Sequence, residues 1–261
     1  MRDLIQQLQR PDARPVVVTG AGISLASGIP TFRGQDPDAV WSETVLEMGT
    51  WRFFLRQPVK QWSWYLRRFD GCRSASPNAG HTALADLEQM IPQLQIITQN
   101  VDGLHTAAGS TSVMEVHGAA RYLRCTNRHC VNGEPRGLVE WDESLFSAFR
   151  ANPCRETLPR CPKCRKFLRP HVLWFDENYQ SHESYRFSEA LSALDQMTCC
   201  IFIGTSFAVG ITEQAVFSAT IAPLPTFVID PGPLPEFLEE YAIHFREASE
   251  TFLPRLIEGM K

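Results

Sequence analysis

The sequence predicts an α/β protein, a parallel sheet covered by helices on both faces and carrying a smaller inserted module. Three observations predict it. Short β-branched and apolar runs recur at 15–19 (PVVVT), 94–98 (LQIIT), 112–116 (SVMEV), 199–204 (CCIFIG) and 225–229 (PTFVI), and strands this apolar are buried on both faces. Between them, 78–91 and 183–197 place apolar residues at helical spacing, and 236–241 and 248–260 also read as helices. Two stretches break the alternation: an aromatic-rich, helix-prone segment (36–77) and a Cys-, Pro- and Arg-rich one (119–168). Read as insertions, they leave 1–35, 78–118 and 169–261 for the sheet domain, with a helical insertion at 36–77 and a zinc-binding insertion at 119–168 forming the small domain.

Each element has a local reason. Pro15–Thr19 is a β-branched run stopped by Gly20, a buried strand entering a tight turn. A chain of 261 residues buries an ordinary core, and a formal net charge of −4 argues against electrostatic binding of nucleic acid as the main business. The opening MRDLIQQLQR has no apolar leader core, and no run approaches the ~18 apolar residues of a membrane span. A cytoplasmic protein with no membrane and no specific nucleic-acid partner, working as a monomer, is expected.

In that compartment the eight cysteines are expected as thiols or metal ligands. Cys125 and Cys130 form a C-x4-C pair and Cys161 and Cys164 a C-x2-C pair, so two short turns can each aim two thiolates at one tetrahedral zinc. Cys154 and His129 are alternative ligands. Four thiolates leave no open coordination position, so the zinc is expected to be structural and the chemistry to lie elsewhere. Cys72, Cys199 and Cys200 read as packing residues.

In an open parallel sheet, ligands bind beyond the carboxyl ends of the strands. Gly20-Ala21-Gly22, Gln99-Asn100-Val101-Asp102, His117-Gly118, Gly204-Thr205-Ser206 and Asp230 all follow candidate strands. Small residues at 20–22 admit a pyrophosphate close to the backbone, Asp230 is placed to accept from ribose hydroxyls, and His117 is placed as a general base. The glycine spacing is not that of a dehydrogenase fingerprint.

Taken in order, G-A-G-I-S-x-x-S-G-I-P-x-F-R at 20–33, T-Q-N-V-D-x-L-H at 98–105, A-G-S at 108–110, V-H-G at 116–118, the two cysteine pairs, R-P-H-V at 169–172 and G-T-S at 204–206 resemble the sirtuins. These are NAD-dependent protein lysine deacylases, and the match runs from about Val16 to Asp230. The resemblance implies a Rossmann-like NAD-binding domain, with acyl-lysine entering between it and a zinc-bearing module. It makes Phe32 a shield and Arg33 a holder of the cofactor, and places Gly20, Ala21, Gly22, Ser24 and Ile29 around NAD. Gln99 would contact ribose, Asn100 would organise the nicotinamide end and Asp102 would bind the carboxamide. His117 would be the base that activates a ribose hydroxyl, giving O-acyl-ADP-ribose and free lysine. Gly204, Thr205, Ser206 and Asp230 would bind phosphate and adenosine. A substrate peptide would add as a strand between Val172-Leu173-Trp174-Phe175 and Phe207-Ala208-Val209.

The chain departs from the pattern where Asp176 replaces the usual glycine, where Asp230 replaces an asparagine, and in the wider first cysteine pair. Asp176 is expected to impose a stricter peptide geometry or to lower peptide activity. Tyr65 and Arg68 match the Tyr-x-x-Arg of the sirtuin class that prefers succinyl-, malonyl- or glutaryl-lysine. Three residues apart on a helix they share a face, where phenol and guanidinium can grip a terminal carboxylate. Alignment through Pro58 puts Gly49 at the pocket base. The same residues would also serve a mono-ADP-ribosyltransferase or NAD hydrolase. The cysteine-rich insertion alone would suit a non-catalytic zinc-ribbon binding module.

Overall fold

The computed structural model describes residues 1–31 and 47–261. Its elements are α1 (Arg2–Leu8), β1 (Pro15–Thr19), α2 (Trp51–Arg56), α3 (Pro58–Ser74), α4 (Ala79–Met90), β2 (Gln95–Thr98), α5 (Leu104–Ala107), β3 (Val113–Glu115), β4 (Gly118–Cys125), β5 (Val139–Glu140), α6 (Ser147–Ala151), β6 (Leu168–Val172), α7 (Phe187–Gln196), β7 (Cys199–Ile203), α8 (Gly210–Ile221), β8 (Thr226–Ile229), β9 (Ala242–Phe245) and α9 (Ser249–Met260), with short 3₁₀ turns between them. A six-stranded sheet has the order β3-β2-β1-β7-β8-β9, every pair parallel, and a three-stranded antiparallel sheet has the order β5-β4-β6.

Alternation along the strands explains why the large sheet takes helices on both faces. Val17, Ile96, Cys199, Ile201 and Ile203 point to one side, onto Leu4 and Leu8 of α1, Leu84 and Leu87 of α4, and Phe252 and Leu256 of α9. Val16, Val18, Ile97, Cys200 and Phe202 point to the other, onto Ala190 and Leu194 of α7 and Ile211 and Ala215 of α8. Cys199 and Cys200 are fully buried on opposite faces, the packing role expected of them. Cys72 also packs against a hydrophobic cluster, and it reaches a cavity wall as well.

The register aligns the strand ends. Thr19 pairs with Thr98 and with Ile203, Thr98 with Glu115, and Ile203 with Ile229. The residues after them continue the ladder. Gln99 N–H donates to Thr19 O, Val116 N–H to Thr98 O, Gly20 N–H to Ile203 O and Gly204 N–H to Ile229 O, at 3.0–3.2 Å. All the candidate clusters therefore emerge at one edge, and β1, flanked by β2 on one side and β7 on the other, is where the strand order reverses.

A third core joins α2 and α3 to the small sheet: Phe54, Trp62, Leu66 and Phe69 pack on Leu123, Phe146, Phe149, Leu168 and Trp174. The Trp62 indole donates to Leu168 O at 3.0 Å. β4 leaves the large sheet's edge at Gly118 and ends at Cys125, and β6 runs back to Val172, so the antiparallel pair connects the cysteine region to that edge. A 3₁₀ turn at Glu236–Leu238 stands in the stretch 236–241 expected to be helical, and β9 follows it. Among the described residues no helix is long and apolar enough to cross a membrane.

Candidate active site at the sheet edge

One cavity of about 1350 Å³ lies over the strand ends and runs out between the large sheet and α3. Its walls include Gly20, Ala21, Gly22, Ser24, Ile29, Gln99, Asn100, Asp102 and His117 from the first half of the chain. Gly204, Thr205, Ser206 and Asp230 line it from the second half. Tyr65, Arg68 and Gly49 border it from the helical segment, with Val172, Leu173, Trp174, Phe175 and Val209 beside them. The expected cofactor and substrate residues thus converge, except Phe32 and Arg33, which lie outside the described residues.

The glycines at the turn have a visible reason. A Cβ on Gly20 would lie 2.7 Å from Gly204 O, one on Gly22 2.6 Å from Gly204 Cα, and one on Gly204 2.5 Å from Ile23 N. The turn after β1 and the end of β7 pack backbone to backbone, and Gly204 also holds φ +56. Gly28, at φ +82, closes the 3₁₀ turn Ala21–Ser27 and sends the chain toward Pro30.

A hydrogen-bonded network fixes the floor. Gln99 Nε2 donates to Thr205 Oγ1 at 2.9 Å and to Thr19 O at 3.2 Å. Asn100 Nδ2 donates to Gly20 O at 3.0 Å and to Ser24 Oγ at 3.1 Å, and Ser24 Oγ donates to Asp102 Oδ2 at 2.8 Å. Asp102 Oδ1 caps α5 through Leu104 N–H at 2.9 Å. Sequence reasoning gave no role to the residues beneath this floor. His105 Nε2 meets Thr19 Oγ1 at 2.9 Å, and the His81 ring packs against that of His105. Burial, together with His81 nearby, pushes His105 down to about 3. At the far end Asp230 Oδ1 accepts from Gly232 N–H at 2.7 Å, which braces the loop after β8.

His117 is the titratable group at the centre. Its Nδ1 lies 3.0 Å from Gln99 O. A carbonyl can only accept, so Nδ1 carries the proton and Nε2 is the basic nitrogen. Burial lowers its pKa to about 4, against a smaller upward pull from the Gln99 carbonyl, so the ring is neutral at pH 7 although it opens on the cavity. Gly118 behind it stands at φ +87 with room for no side chain, since a Cβ would lie 2.2 Å from His171 O. Nε2 faces the Tyr179 hydroxyl at 3.2 Å, a residue that no spacing in the sequence singled out.

The helical wall carries Tyr65 and Arg68. The Tyr65 oxygen accepts from the Trp174 indole at 2.7 Å, and burial, the dominant cause, raises the phenol's pKa, so it stays protonated and available as a donor. Arg68 stacks 4.7 Å over the Trp64 ring, and burial lowers the pKa of its guanidinium, partly offset by Tyr65. Asp176 turns away from this chemistry. Its carboxylate accepts from Trp51 N–H at 2.7 Å and Arg52 N–H at 3.1 Å, capping α2 from outside the helix, while Phe175 N–H donates to Gly49 O at 2.9 Å. Its place in this structure is as a brace between the Val172–Phe175 segment and α2.

The four cysteines Cys125, Cys130, Cys161 and Cys164 bring their sulfurs within 4.8 Å of one another. Sγ atoms 3.4 Å (Cys125, Cys164) and 3.7 Å (Cys130, Cys161) apart are near the ~3.8 Å edge of a tetrahedron with ~2.3 Å Zn–S bonds. Asn132 Nδ2 donates to Cys161 Sγ and Asn127 N–H to Cys125 Sγ, bonds that suit thiolates. The donor set therefore fits a structural zinc. Cys154 instead sits by Thr157 Oγ1 and His129 is exposed, so neither joins the group.

With this geometry in place, comparison with known proteins gives a single answer. The Sir2 family model matches residues 20–210. The chain belongs to the Sir2 family. The Sir2 relative "NAD-dependent protein deacylase 1" of Caldanaerobacter subterraneus subsp. tengcongensis is 40% identical over 195 residues, covering 74% of this chain and 72% of its own. A Sir2 homolog solved as an NAD complex superimposes with a TM-score of 0.81 at 30% identity, covering 100% of this chain and 93% of its own. A Sir2 structure described as a p53 peptide and NAD+ complex gives 0.79 at 26% identity over 99% of this Sir2 chain and 98% of that one.

Proposed function

We propose that this Sir2 protein is an NAD-dependent protein-lysine deacylase that favours acidic acyl groups such as succinyl, malonyl and glutaryl. The observation that carries the reading is one cavity joining a neutral histidine, its Nε2 free of a proton, to the glycine-packed strand ends on one side and to Tyr65 and Arg68 on the other. NAD, when bound, supplies the sugar carbon that takes the acyl oxygen as nicotinamide leaves. Gly20 to Gly22 and Gly204 to Ser206 hold the backbone open for its phosphates, Gln99 and Asp230 hold its sugars, and Asn100 and Asp102 order the nicotinamide end. Ile29 walls that pocket.

His117 removes the proton of a ribose hydroxyl, and a base neutral at pH 7 suits that task. The peptide lies along Val172-Leu173-Trp174-Phe175 and Phe207-Ala208-Val209, held by main-chain bonds. A terminal acyl carboxylate meets the Tyr65 O–H and the Arg68 guanidinium. A guanidinium that burial has pulled from water gains most from such a partner. Gly49 leaves room at the base of that pocket. Zinc at Cys125, Cys130, Cys161 and Cys164 is structural and ties β4 to the turn before β6. The domain division at 36–77 and 119–168, a monomeric state, a cytoplasmic setting and the lack of a nucleic-acid partner belong to the same proposal.

The test is a competition. Purified protein, NAD and equimolar acetyl-, succinyl- and glutaryl-lysine versions of one peptide are followed by mass spectrometry. The acidic acyl groups should disappear first; acetyl removed first, with the others intact, would refute the preference.

A further inference from the structure

The basic nitrogen of His117 already has a hydrogen-bond partner. A directed chain of hydrogen bonds passes through it: Ile211 N–H, at the start of α8, donates to the Tyr179 oxygen at 3.3 Å, Tyr179 O–H faces His117 Nε2 at 3.2 Å, and His117 Nδ1–H donates to Gln99 O at 3.0 Å. Every direction in it is forced. A backbone N–H can only donate and a backbone carbonyl can only accept, so the imidazole is protonated at Nδ1 and the phenol must give its proton to Nε2. The phenol is also held as a ring, stacked 4.2 Å from Phe187 at 9° and 5.8 Å from His117 at 26°. Burial raises its pKa, which keeps its proton in place.

An Nε2 has one lone pair, and here Tyr179 occupies it. A ribose hydroxyl arriving at His117 must either displace the phenol, breaking two hydrogen bonds and a stacked contact, or use it. The phenol oxygen has two lone pairs, and Ile211 N–H takes only one. Tyr179 also lines the cavity, so the second pair is within reach of a ligand there.

We propose that Tyr179 is a proton relay between the ribose hydroxyl and His117. This rests on the reading of His117 as the base. The hydroxyl donates to the phenol oxygen. As its proton moves there, the phenol's own proton passes to Nε2. The phenol is regenerated and His117 ends as an imidazolium. The electron pair left on the ribose oxygen forms the bond to the acyl carbon, already joined through its oxygen to the sugar, while that carbon's π pair to nitrogen moves onto the lysine nitrogen. Tyr179 gains and loses one proton, and no further reactant is needed.

The experiment compares Tyr179→Phe, which keeps the ring and its stacking, with His117→Ala. In the protein alone, the ¹⁵N spectrum of labelled histidine should show the His117 Nε2 resonance moving toward that of a free acceptor in Tyr179→Phe. With NAD and acyl peptide, turnover should fall at least ~100-fold, the low end of what a positioned proton-transfer group contributes. Exchange of free nicotinamide into NAD, which precedes the base step, should stay within ~2-fold of the parent protein on the same reasoning. Unchanged turnover, an unmoved resonance, or equal loss of exchange and turnover would each overturn the relay. Turnover by His117→Ala would instead overturn the base assignment beneath it.

Discussion

Replacing Arg68 by Met asks whether the cavity selects for charge. Methionine keeps an unbranched stem that can lie on Trp64, 4.7 Å from the present guanidinium, and removes the cation. The structure sets the scale. The guanidinium is half-buried beside the Tyr65 phenol, and burial lowers its pKa, so a carboxylate docking there would make charge-assisted hydrogen bonds shielded from bulk water. Hydrogen bonds to a charged group are worth ~1.5–3 kcal/mol, which at ~1.4 kcal/mol per decade is ~10- to 150-fold in kcat/KM for a succinyl peptide. An acetyl group has no charge to lose, so its kcat/KM should change by no more than ~3-fold on the same scale. The assay is kcat/KM for succinyl and acetyl forms of one peptide, in the parent protein and the variant. A parallel fall of both would mean that Arg68 supports the fold of the wall, and no change in either would mean that the carboxylate binds elsewhere; either result refutes the argument.

Other consequences can be checked directly. Asp176→Ala removes two bonds capping α2, so it should cost ~1 kcal/mol and lower Tm by ~2–4 °C in thermal unfolding. Metal analysis should find one zinc per chain, and Cys161→Ser, which breaks the tetrathiolate, should lose the metal and unfold at a lower temperature; full zinc retention would contradict the fit. Burial lowers the pKa of five histidines, His81, His105, His117, His171 and His182, below the ordinary value. Above pH ~6.5 folded and unfolded forms are both neutral at these sites; below it the unfolded chain binds protons first, so stability is lost as pH falls from ~6.5, by ~1.4 kcal/mol per pH unit for each histidine that titrates. Denaturant titrations that gave constant stability from pH 7 to 5 would contradict this.

The large sheet was legible because its strands are unbroken apolar runs, and the predicted 15–19 and the observed Pro15–Thr19 coincide. The edge strand β9 (AIHF) was not, because it is only half-buried and carries a histidine. β4 and β6 were missed because arginines interrupt their apolar pattern. Arg124 and Arg169 are buried there with Glu177 paired to both and Glu134 also paired to Arg124, partners no periodicity reveals. At the site, the strand-end rule found the clusters, since the register holds their ends level. Tyr179 escaped it because it lies beyond β6 and meets His117 only through tertiary packing. Asp176 was expected to impose a stricter peptide geometry or to lower peptide activity; the bonds it makes to α2 were not legible because they depend on a contact 125 residues away in sequence.

The most direct test of the central claim is a product balance on one succinyl-lysine peptide with NAD. The account predicts one nicotinamide and one O-succinyl-ADP-ribose for every lysine freed. Nicotinamide and ADP-ribose formed while the acyl-lysine survives would contradict it and assign the cavity to NAD hydrolysis or ADP-ribosyl transfer.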